Sequence, residues 1–118
     1  MTPQQIMDGM KDKNRMLSQK NDEYQKLLEV KAQAEMNYNQ AYAQKITELR
    51  INGEPTTIIK ELAKGDVSVS KLMHEYAIAI GVEKACLESI KDIRTAIDSY
   101  RSLLTWLRAE LTIGTPEP

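Results

Sequence analysis

Any chemistry in this chain would have to start from very few side chains. His74 is the only histidine and Cys86 the only cysteine. His74 stands near Lys71, Glu75 and Lys84, and with no second histidine a metal there would lack ligands. Cys86 has no histidine four residues away to take its proton, so it reads as a small buried hydrophobe rather than a nucleophile. Tyr24, Tyr38, Tyr42, Tyr76 and Tyr100 all fall on apolar stripes and read as packing residues. No phosphate-cradling glycine loop, dinucleotide fingerprint, Cys-x-x-Cys or His-Glu-x-x-His pattern occurs. The expectation is a protein that is not an enzyme and takes no cofactor, metal or small-molecule substrate.

One set of residues does have chemical spacing. Arg94, Arg101 and Arg108 recur every seven positions. On a helix they form a column with steps of about 10.5 Å, continuing the flank held earlier by Met73, Ile80 and Leu87. Two readings follow. The arginines can lay their stems over an apolar seam and pair with acidic groups of a neighbouring helix. Alternatively, their planar forks can track phosphates of a nucleic acid, with Lys91 and Trp106 nearby and Asp92, Asp98 and Glu110 opposing. The overall charge favours the first: sixteen basic and seventeen acidic groups leave about −1, which steers the chain to neither nucleic acid nor anionic lipid.

The elements that must carry these residues are helices. The chain has 118 residues, no Phe and 5 % aromatics, and is dominated by helix formers, so one all-α domain is expected. Counted in sevens, Val69, Tyr76, Glu83, Ile90, Ile97, Leu104 and Leu111 form one column. A second holds Leu72, Ala79, Cys86, Ile93, Tyr100 and Leu107. Glu83 alone breaks this coiled-coil seam. Met73, Ile80, Leu87 and Leu103 widen the stripe beyond a two-helix seam, which predicts a bundle of more than two helices. Asp66 or Ser68 can cap this helix, and Gly114 with Pro116 can stop it.

The first half shows a weaker stripe through Tyr24, Leu27, Leu28, Ala34, Tyr38, Ala41, Tyr42, Ile46 and Leu49. The expected organisation is a polar, frayed extension over 1–20, a long helix over 4–50, a connector helix over 55–64, a second long helix over 67–112 and a flexible tail over 113–118. Two long helices joined this way predict an antiparallel helical hairpin that assembles into a dimeric or tetrameric bundle. In the connector, Gly53 suits a left-handed turn, Pro55 a first helical turn and Gly65 a helix end. Ile58, Ile59, Leu62 and Ala63 give that short helix one apolar face. It is expected either to cover Leu49, Ile51, Val67 and Leu72 at the hairpin end or to dock a protein partner.

ELRINGEPTTIIKELAKGD, followed by KLMHEYAIAIGVEKACLESIKDIRTAIDSYRSLLTWLRAEL, resembles small α-helical coiled-coil accessory proteins of temperate phages of Gram-positive bacteria. That resemblance spans roughly residues 20–112. It implies an accessory role in phage DNA metabolism or in redirecting host machinery, and no catalytic residues. A second likeness, to helical-hairpin substrates of specialised secretion, fails at the turn. Those proteins carry Trp-x-Gly there, whereas this chain has INGEP and its tryptophan is Trp106.

The functional expectation is a self-associating helical interaction protein, with Val69, Leu72, Tyr76, Ile80, Leu87, Ile90, Ile93, Ile97, Tyr100, Leu104, Leu107 and Leu111 as core or oligomer interface. Its alternatives are a nucleic-acid-binding recombination or replication accessory using Arg94, Arg101 and Arg108, and an inhibitor docking through Ile58, Ile59 and Leu62. No secretory leader and no membrane span are read from the sequence, so the expected location is cytoplasmic, the host cytoplasm if phage-encoded.

Overall fold

Thr2 and Gln5 start the first helix by capping each other. The Thr2 hydroxyl accepts from the Gln5 N–H at 3.2 Å, and the Gln5 side chain accepts from the Thr2 N–H at 2.9 Å. This reciprocal box satisfies donors that a helix start leaves unpaired, and Pro3 follows where its missing N–H is harmless. Helix α1 then runs Pro3–Ile51 without a break. The structure, a computed structural model, describes residues 1–113. The tail expected at 113–118 lies, from residue 114 on, outside the described residues, as do Gly114 and Pro116.

Gly53 ends α1. It adopts φ of 81°, the left-handed region that glycine enters without penalty. The Glu54 N–H returns to the Leu49 carbonyl and the Gly53 N–H to that of Arg50, both at 3.1 Å. That pair of bonds is the Schellman closure. Pro55 opens a turn rather than the connector helix itself, accepting from the Ile58 N–H at 3.1 Å. Helix α2 spans Ile59–Gly65 and helix α3 spans Val67–Ile113.

Asp66 alone separates α2 from α3. Its extended backbone (φ −63°, ψ 136°) ends the first helix, a role expected of Gly65. Its carboxylate then accepts from the Val69 N–H at 3.2 Å, capping the second. Ser70 ties the joint by donating to the Lys64 carbonyl at 2.7 Å, and Lys45 of α1 approaches Asp66 at 3.5 Å. The Val69 N–H, with Lys45 behind it, holds the Asp66 carboxyl below its ordinary value. A lowered folded-state pKa stabilises above the usual carboxylate range, and that contribution is lost as pH falls through the folded value. Asp66→Ala is therefore expected to lower the thermal midpoint at neutral pH and to make little difference near pH 2. Asp66→Asn should keep most of the cap. Circular dichroism melts across pH test this; a midpoint unchanged at pH 7 in the alanine variant would refute it.

The helices build two compact units, Gln25–Ala85 and Met1–Tyr24 with Cys86 onward. In Gln25–Ala85 the long helices run antiparallel, because partner numbers fall as positions rise. Lys31 reaches Glu83 at 3.6 Å, the Tyr38 ring stacks on Tyr76 at 6.4 Å, and Lys45 meets Asp66. Ile59 and Ala63, one turn apart on α2, are buried here. Ile58 and Leu62 precede them by one residue and so turn outward, 42 % and 41 % exposed. The connector thus presents two of its expected docking residues and buries the third, Ile59. Ile51 and Val67, which α2 was expected to cover, are 80 % and 83 % exposed, since the face of so short a helix reaches only one line of contacts.

The unit of Met1–Tyr24 with Cys86 onward pairs the other halves of α1 and α3, again antiparallel. The Cys86 thiol points at the Lys20 carbonyl at 3.8 Å, and Gly9 lies against Tyr100. A Cβ on Gly9 would sit 2.7 Å from the tyrosine ring, so glycine is what admits that close approach. Ile6 is 1 % exposed, and Ile90, Ile93 and Ile97 line the same core. The N-terminal stretch expected to fray is helical and seats Ile6.

Candidate functional site

The seam sets which face of α3 looks outward. Val69, Ile90, Ile93 and Ile97 are buried, and Leu72, Tyr76, Ile80, Leu87, Tyr100, Leu104 and Leu107 are half-buried. Leu111 differs, at 65 % exposed near the helix end. Within each unit these columns face α1, and so form core inside a single chain.

Four lysines on the α1 side of the seam escape a hydropathy reading. Lys13, Lys20, Lys31 and Lys45 are each half-buried. Lys13 and Lys20 are seven residues apart, as are Lys31, Tyr38 and Lys45. Their four-carbon stems fill coiled-coil positions while their ammonium groups reach the edge. Lys20 donates to Glu23 at 3.0 Å, and Lys45 lies 3.5 Å from Glu48. Those acidic neighbours hold both ammonium groups above their ordinary pKa, chiefly the hydrogen bond to Glu23 and the charge of Glu48. Lys31 meets Glu83, the residue that breaks the apolar column. The seven-residue spacing of the lysines, matched to that break, was the available signal.

Away from the seam, the later turns of α3 carry Thr95, Ala96, Ser99, Ser102, Leu103, Trp106 and Ala109, with no charge among them. Trp106 is 62 % exposed and Leu103 43 %. Two hydroxyls of this face are turned to the backbone. Thr95 donates to the Lys91 carbonyl and Ser99 to that of Thr95, each at 3.0 Å. Such back-bonding occupies the polar atoms and presents methyl and methylene groups to solvent. Thr95, Asp98, Ser99, Ser102, Leu103 and Trp106 line an open hollow beside the indole. Asp98 is the one charged residue in that lining.

The arginine column lies on the other flank of the seam from Leu103. Arg94, Arg101 and Arg108 are exposed. Arg101 stands 3.6 Å from Asp98, and Arg94 and Arg101 border a cleft with Asn14, Leu17 and Ile97. Asp98, three residues before Arg101 on the same helix, interrupts the positive run.

Among the described residues, no cluster of three or more His, Cys, Asp and Glu side chains could hold a metal ion. No helix there is long and apolar enough to cross a membrane. Compared with models of known protein families, with curated proteins and with solved structures, the chain matches none of them.

Proposed function

We propose that this chain is a non-catalytic helical interaction protein that self-associates, serving as an accessory factor in the manner of the small phage proteins it resembles. The observation that supports the reading is the face around Leu103 and Trp106, turned away from the seam, with an indole that is 62 % exposed and Asp98 as the one charged residue of its hollow. Large apolar side chains held together in water mark an association surface. Full burial of a leucine contributes about 1.5–3 kcal/mol, and each 1.4 kcal/mol is tenfold in affinity.

The test is the mass of the native particle by light scattering coupled to size exclusion. A multiple of 13.4 kDa at micromolar concentration is expected. Leu103→Asp should weaken association by at least about tenfold while leaving helical content unchanged, because Leu103 lies outside the seam. A compact monomer across the micromolar range would refute the reading.

A further inference from the structure

We infer that Met1–Tyr24 is a strap: it leaves α3 and unwinds reversibly while Gln25–Ala85 stays folded, and its release uncovers the column of Ile90, Ile93 and Ile97. Two observations carry this. The first is an imbalance across the seam. In this unit α3 buries Ile90, Ile93, Ile97 and Cys86, whereas α1 buries Ile6 alone. The half-buried α1 positions that follow include Gly9, Lys13 and Lys20, with Met10, Met16 and Leu17 among them. Over 25–51 the same helix instead brings Leu27, Leu28, Tyr38, Tyr42, Ile46 and Leu49 to half-buried positions. The most deeply buried isoleucines of α3 are thus covered by the more polar end of α1. Segments with few buried apolar groups are the ones that open below global unfolding. Helical stability comes chiefly from packing of the apolar face, so a segment that leaves α3 also unwinds.

The second observation is how the polar groups are tied. In Gln25–Ala85, Lys31–Glu83, Tyr38–Tyr76 and Lys45–Asp66 cross from α1 to α3 or its cap. In Met1–Tyr24, Gln4 donates to Asp8, Arg15 pairs with Asp12 and Lys20 with Glu23, all along α1 itself. Across to α3 runs the Cys86 thiol contact to the Lys20 carbonyl at 3.8 Å, made by a weak donor. Release of the strap therefore separates none of those three ion and amide pairs from a partner on α3, and what it gives up is burial.

Cys86, 5 % exposed beneath the strap, reports its release without any substitution. Modification by dithiobis(nitrobenzoate), followed against urea, should rise less steeply than global unfolding, because release exposes less surface. Amides of Met1–Tyr24 should exchange with that same shallow dependence, and those of Gln25–Ala85 with the steep one. Ile6→Ala is expected to speed modification at least about tenfold through loss of a buried side chain, leaving exchange along Gln25–Ala85 unchanged. Gly9→Ala, with a Cβ 2.7 Å from the Tyr100 ring, should act in the same direction. One steep urea dependence shared by Cys86 and both sets of amides would overturn the strap. So would modification at the speed of a free thiol, or equal loss of protection along Gln25–Ala85 in the Ile6→Ala protein.

Discussion

Replacing Ile93 by Asp is expected to unfold the unit formed by Met1–Tyr24 and Cys86 onward, rather than merely to separate copies of a folded chain. Ile93 is 7 % exposed, flanked along α3 by the equally buried Ile90 and Ile97. Truncating such a residue to alanine costs about 2–5 kcal/mol, and forcing a carboxylate into the same space adds its desolvation. The residues three and four positions away on α3 are Ser89, Ile90, Ala96 and Ile97, none of which can neutralise it. Against a total stability of about 5–15 kcal/mol for a natural domain, that is a large fraction. Circular dichroism should show reduced helicity and a transition shifted down by well over ten degrees. Leu103→Asp, made on the outward face, should melt like the parent unless assembly itself adds stability. If Ile93→Asp instead gave a fully helical monomer with an unchanged midpoint, the seam would be an intermolecular surface and the core described here would be wrong.

That contrast shows where the sequence was legible and where it was not. The columns from Val69 to Leu107 could be read because isoleucine and leucine at seven-residue spacing admit one interpretation on a helix. Gly53 was likewise readable, since a glycine after a long helix usually closes it. Three features hid for physical reasons. The α1 side of the seam is partly lysine, whose charge hides an apolar stem from any hydropathy count. The outward face of α3 contains Thr95, Ser99 and Ser102, counted as polar, although Thr95 and Ser99 direct their hydroxyls to backbone carbonyls. Asp66 was legible as the cap of α3, but its closing of α2 was masked by Gly65, which looked like a helix end; an extended aspartate that closes one helix and caps the next needs no left-handed residue. The Thr2–Gln5 cap was present in the letters TPQQ and needed only to be looked for. The breadth of the apolar stripe pointed to association, but the surplus surface lies around Trp106 instead of along the columns, because α1 covers those.

Lys31 and Glu83 carry the second large effect, and the two substitutions should be strongly non-additive. The Glu83 side chain is 8 % exposed and its lysine partner 31 %, at 3.6 Å. Lys31→Met removes this cation from an almost fully buried carboxylate that keeps its other contact. Breaking buried pairs costs about 3–5 kcal/mol; with Lys31 a third exposed, about 1–3 kcal/mol is expected. Glu83→Leu places an apolar side chain in the column and leaves the lysine free to extend into water, so it should cost far less. The double variant should equal or exceed the parent in stability, because well-packed apolar residues commonly match a buried ion pair. Urea unfolding of all four proteins gives the coupling directly, and purely additive effects would show that the contact contributes nothing. The gain should come with a loss. Apolar side chains at seven-residue spacing tolerate a shift by a heptad better than a charge that must meet its partner, so the pair adds a penalty to other alignments. Hydrogen exchange along Gln25–Ala85 should therefore be faster in the double variant than its midpoint alone would imply, because one of the contacts that set the register there, beside Tyr38–Tyr76 and Lys45–Asp66, is gone.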